Sequence, residues 1–62
     1  MKAQMVIQAE HLTKAITPEY PLGYTEVYDI VLNYLMECSQ LEISYSREEI
    51  DRRIRSYVAR AI

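Results

Sequence analysis

Polar side chains recur at Glu26, Asp29, Asn33 and Glu37, at spacings of 3, 4 and 4, through a stretch that is otherwise apolar. From Val27 to Cys38 the chain reads VYDIVLNYLMEC, and only Asp29, Asn33 and Glu37 interrupt it. That spacing draws one narrow polar stripe along a helix and leaves the remaining circumference greasy. A helix apolar around most of its girth is a buried helix. A strand fits DIVL alone, but a stripe continued over this many residues favours a helix. The expected span is about 26–38, with Thr25 as N-cap and Gly23 as the preceding breaker.

A second pattern fills the C-terminus, SREEIDRRIRSYVARAI. Ile50, Ile54, Tyr57, Val58 and Ile62 follow the 3.6 period and define one apolar face. Ser46 and Glu49 match the S-x-x-E capping box, in which each side chain satisfies a backbone N–H of the first turn. Acids lead and arginines follow, as the helix dipole favours. The pattern predicts a helix over about 47–61.

Two segments are less decided. Met5, Ala9, Leu12 and Ile16 lie on one helical face, whereas Ala3, Met5, Ile7 and Ala9 alternate as in a strand. The abundance of Gln, Glu, Leu, Lys and Ala favours a helix over about 3–16. Thr17 precedes Pro18, which biases it away from helical backbone. TPEYPLGY then holds both prolines and the single glycine, so 17–24 reads as a loop. Leu41, Ile43 and Tyr45 alternate with Glu42 and Ser44. We read 39–46 as an extended connector pinning three apolar side chains to the core, because a lone strand lacks a mate. The expected fold is a mainly α, three-helix single small domain over 1–62. The alternative is an α+β fold with short strands near 4–8 and 41–45.

Size limits this plan. One core in 62 residues rarely supplies more than about 3–5 kcal/mol, so small domains commonly add a staple. Cys38 is the only cysteine, which excludes an internal disulfide. Cys38 and His11 do not amount to a zinc site, and no calcium-loop spacing occurs, so no metal and no cofactor are expected. Packing of regular helices remains, as does a partner chain. With 50% hydrophobic and 26% charged residues, the composition is globular. The N-terminus shows no signal-peptide pattern, and no apolar run approaches the roughly 20 residues of a membrane span. The expected setting is cytoplasmic, away from membranes.

Charge is distributed unevenly. The net charge of −2 divides into −4 over residues 1–45 and +2 over residues 46–62. Arg47, Arg52, Arg53, Arg55 and Arg60 therefore form the candidate anion or nucleic-acid surface. The competing explanation is a solvated face: Glu48–Arg52, Glu49–Arg53 and Asp51–Arg55 are i,i+4 pairs in the favourable order, leaving Arg47 and Arg60 free. A helix-turn-helix is sketched by 36–54. Against it stand a connector longer than the usual turn, the lack of a glycine there, and three acids near the start of the would-be recognition helix.

Six tyrosines and no Phe or Trp point to surfaces with one apolar and one wet side. Tyr20, Tyr24 and Tyr28 bracket the loop and are the expected exposed cluster. Together with Leu32, Tyr34 and Met36 they are the candidate protein-interaction residues. His11 reads as a surface histidine, and Cys38 as an inert core residue. Glu48 and Glu49 lie beside arginines on a helix surface. Nothing marks an activated nucleophile or a phosphate loop, and so short a chain leaves little room for a substrate pocket. We therefore expect no enzyme and no small-molecule substrate. The leading expectation is a small regulatory protein-interaction module, working as a homodimer or on a protein partner. The alternative is a helix-turn-helix-like nucleic-acid-binding regulator.

Overall fold

The computed structural model of the protein describes residues 4–61. Three helices follow one another: α1 (Gln4–Ile16), α2 (Tyr24–Leu41) and α3 (Arg47–Ala61), with a 3-10 turn at Thr17–Glu19 after α1. There is no strand among the described residues, so the alternative strands near 4–8 and 41–45 do not form. Ala3 and Ile62, which the sequence places at the outer ends of α1 and α3, lie outside the described residues.

α2 is the central element and packs against both of its neighbours. Val27, Val31, Tyr34, Leu35 and Cys38 form its buried side. Ala9 and Ile16 reach this core from α1, and Ile50 and Ile54 reach it from α3. Met5, Leu12 and Val58 complete it from positions that are only partly covered. The helical periods of all three segments thus converge on one core. Thr13 is a member that apolar periodicity misses. It is fully buried, and its hydroxyl donates to the Ala9 carbonyl at 2.6 Å, so the polar atom is satisfied within its own helix. The hydroxyl of Thr17 repeats this on the Thr13 carbonyl at 2.6 Å. No buried side-chain N or O among the described residues lacks a partner.

The ends of α2 differ from the sequence expectation on both sides. It begins at Tyr24 with Gly23, not Thr25, as the N-cap. Glu26 explains the shift, because its carboxylate accepts the Gly23 N–H at 3.0 Å. Gly23 itself has φ −80 and ψ 163, an extended backbone open to any residue. At the other end, α2 runs three residues beyond Cys38, to Leu41. Glu42 closes it in the left-handed conformation, with φ 57 and ψ 42. The Ile43 N–H bonds the Cys38 carbonyl at 3.0 Å, and the Glu42 N–H bonds that of Ser39 at 3.3 Å. This is a Schellman closure, usually built on glycine.

The consequence is that the connector does not pin its apolar side chains to the core. Leu41, Ile43 and Tyr45 are 61%, 55% and 41% exposed. Alternation tells which residues share a side, but with no neighbouring strand that side has nothing to face.

Two outcomes are expected from urea unfolding. Ile54→Ala removes a fully buried side chain and should cost about 2–4 kcal/mol, most of what a core of this size supplies. Glu42→Gly relieves a left-handed non-glycine residue and should raise stability by up to about 1 kcal/mol.

Candidate functional site

The arginines were the first candidates, and most are engaged within the molecule. Arg52 binds Glu49 with both nitrogens of its fork, at 2.7–2.9 Å. Arg53 reaches the same carboxylate at 3.0 Å and Glu37 of α2 at 3.1 Å, with its guanidinium 4.6 Å from the centre of the Tyr34 ring. Arg47 binds Glu19 of the 3-10 turn at 2.8 Å and Asp51 at 3.1 Å. Of the three expected i,i+4 pairs, only Glu49–Arg53 forms. Glu49 lies between two arginines and serves both, which replaces the Glu48–Arg52 pair. Asp51 is taken by Arg47 and by the Tyr20 hydroxyl at 2.8 Å, and this replaces its pairing with Arg55. Arg47, expected to be free, therefore has two partners. Arg55 makes no ion pair among the described residues, and Arg60 bonds only the Ser56 carbonyl, at 3.4 Å.

These contacts join elements. Tyr20, Asp51, Arg47 and Glu19 form one network that fastens the α1–α2 connection to the start of α3. The hydrogen bond from Tyr20 and the charge of Arg47 hold the Asp51 carboxyl below its usual range, while burial and Asp51 push the Tyr20 phenol up. Arg52 and Arg53 lower Glu49 in the same way. Glu26 accepts from the Tyr57 hydroxyl of α3 at 3.0 Å as well as from Gly23, and both bonds lower its pKa. The polar stripe of α2 is thus not simply an outlet to water: Glu26 and Glu37 hold α3.

Tyr34 is the most deeply placed tyrosine, 5% exposed. Its hydroxyl accepts the Ser46 N–H at 2.9 Å, and burial pushes the phenol up. That bond uses the N–H which a capping box would give to Glu49, whose carboxylate is turned to the arginines. Only the weaker half of the box remains, the Glu49 N–H on the Ser46 hydroxyl oxygen at 3.4 Å. Tyr34 and Tyr20 are therefore internal ties, and the Tyr34 ring is not a contact surface. Tyr24 and Tyr28 stack on each other with centroids 6.0 Å apart and planes 13° from parallel.

Leu32 and Met36 continue the i,i+4 ridge begun by Tyr24 and Tyr28. Met36 is 44% exposed. With Met5, Val6, Ser39 and Gln40, these two residues line an open hollow of about 390 Å³ between α1 and the far end of α2. A neighbouring hollow of about 400 Å³ takes in Ile43 and Tyr45 from the connector, and Met5 and Ser39 border both. The two hollows share Met5 and Ser39 and make up an uncharged, mostly apolar region where α1 starts and α2 ends. The sequence pointed to its Leu32–Met36 half. It missed Met5, Ile43 and Tyr45, whose periodicity fits a core role equally well.

No group of three His, Cys, Asp or Glu residues among the described residues is placed to hold a metal. Cys38 is a buried free thiol and His11 is exposed on α1. No described helix is long and apolar enough to cross a membrane. In comparisons with protein-family models, curated proteins and solved structures, nothing matches this chain.

Two measurements check these ties. Tyr34→Phe removes the acceptor of the Ser46 N–H and should speed hydrogen exchange of that amide severalfold while lowering the urea midpoint. Glu26, Glu49 and Asp51 all titrate below their ordinary values, so unfolded chains take up protons first as pH falls. Their contribution is complete above the ordinary carboxylate range of about 4 and is lost as pH drops through the depressed folded values. The melting temperature should therefore fall on acidification below about pH 4. Tyr20→Phe should move the Asp51 titration, followed by NMR, back towards its normal position.

Proposed function

We propose that this chain is a small protein-interaction module that acts by contact rather than by catalysis. The observation that carries this reading is the pair of hollows, sharing Met5, that Leu32 and Met36 line on one side and Ile43 and Tyr45 on the other. Met36, Ile43 and Tyr45 are each more than two-fifths exposed there, although the molecule has few apolar side chains to spare. Clustered apolar exposure of this kind marks binding surfaces. Tyrosine and methionine suit such a surface, the first by pairing an apolar ring with a polar tip and the second by adapting its shape. A reducing, cytoplasmic setting is consistent with the free thiol of Cys38.

The nucleic-acid reading is the second one. It rests on Arg55 and Arg60, which form no ion pair among the described residues. Two exposed cations on a chain of net charge −2 give a much smaller footprint than the five arginines counted in the sequence.

An affinity capture from native lysate, with and without nuclease, separates the two readings. The interaction module should retain a protein in both conditions and lose it in Met36→Glu and Ile43→Glu. Capture that disappears with nuclease, together with salt-sensitive retention on heparin lost in Arg55→Gln/Arg60→Gln, would replace this reading with the second.

A further inference from the structure

The outer face of α3 carries a further hollow, which is charged and separate from the two apolar ones. Arg52, Arg53, Ser56 and Arg60 line it over about 210 Å³, and Glu49 is its one acid. Three guanidinium groups against one carboxylate leave an excess of two positive charges. We propose that this hollow binds a doubly charged oxyanion of the phosphate type, clamped between Arg52 and Arg60.

Unspent donors are the reason. A guanidinium presents five N–H donors in a fixed fork and no acceptor. Arg52 gives Nε and Nη2 to Glu49. Arg53 gives Nε to Glu49 and Nη2 to Glu37. Arg60 gives Nε to the Ser56 carbonyl at 3.4 Å. Among the described residues, no hydrogen bond uses Nη1 of Arg52 or Arg53, or either Nη of Arg60. The Ser56 hydroxyl adds a donor on the same rim. The oxygens of a phosphate accept from such a set, and arginine forks match their geometry.

Glu49 prepares the hollow without neutralising it. Its single charge is shared by two guanidinium groups, which hold the carboxyl below its usual range. Arg52 and Arg53 are thereby held side by side before a ligand arrives, and less side-chain freedom is lost on binding. Charge sets the class of ligand. Each phosphate along a nucleic-acid backbone carries one negative charge. A terminal phosphate carries close to two at neutral pH, which matches the excess at the hollow. Arg55 belongs to the same helix but does not line this hollow, so it serves as the control.

The test is a titration of inorganic phosphate into the 15N-labelled full chain at about pH 7.5, with ionic strength held by sodium chloride. Resonances of Arg52, Ser56 and Arg60 should move and saturate in the millimolar range. Arg52→Gln and Arg60→Gln should each raise the Kd at least about fivefold, as loss of an exposed charge-assisted bond does. Arg55→Gln should leave it unchanged. If Arg52→Gln loses helical circular dichroism, Arg60→Gln carries the test, since Arg60 bonds only a carbonyl of its own helix. Acidification to about pH 5 removes the second charge of phosphate and should weaken its binding severalfold. Sulfate stays doubly charged and should not weaken, which also controls for protein groups near the arginines, Glu49 and Glu37 included. Phosphoserine separates the sources: bound at least as tightly as inorganic phosphate, it makes a phosphorylated side chain the ligand, and bound more weakly, it makes free phosphate the ligand. No saturation up to about 50 mM phosphate overturns the proposal. So does an Arg55→Gln effect equal to that of Arg60→Gln, which would mean diffuse attraction to a basic helix, or phosphate binding indifferent to pH.

Discussion

A single hydrogen bond, from the Ser46 backbone to the Tyr34 hydroxyl, fixes where α3 begins. Tyr34 comes from the buried side of the central helix, so the first turn of α3 is referenced to the core itself. From that origin Ile50 and Ile54 fall into the core, and Arg53 lies over the Tyr34 ring with Glu37 and Glu49 within reach. One aromatic residue thus serves as core filler, hydrogen-bond acceptor and cation platform. The price is that it has no surface left to offer a partner.

The same economy shapes the polar half of the molecule. A domain with so small a core cannot leave its third helix held by a few isoleucines alone. Glu26 and Glu37 on α2, and Glu19 with Tyr20 before it, take hold of Tyr57, Arg53, Arg47 and Asp51 on α3. Groups that would otherwise mark a ligand surface are used to seat a helix. Uncovered apolar residues are therefore concentrated elsewhere, where α1 starts and α2 ends.

Much of this was legible in the residues. Three periodic segments predict three helices, and the faces of α1, α2 and α3 are the ones that meet. What could not be read were choices among equivalent partners. Glu49 can serve Arg52 or Arg53 by spacing and serves both, while Asp51 turns to Arg47 and to Tyr20, which is far away in sequence. Tyr20 and Tyr34 look like their exposed counterparts in any local window, since only tertiary contact distinguishes a tie from a contact residue. The left-handed turn was equally hidden. The chain's one glycine occupies an extended backbone that any residue tolerates, whereas Glu42 stands where glycine is favoured. Alternation in 41–45 was a true regularity with the wrong cause.

The arginine pairing also alters how ionic strength acts on this molecule. In a protein that grips an external anion, added salt competes for the cation and frees the ligand, and the fold is a bystander. Here the exposed bonds from Arg47 to Glu19 and from Arg53 to Glu37 bridge different elements of one chain. Screening them loosens the grip of α3 on its neighbours. Salt would be felt first as a change in the internal mobility of the third helix.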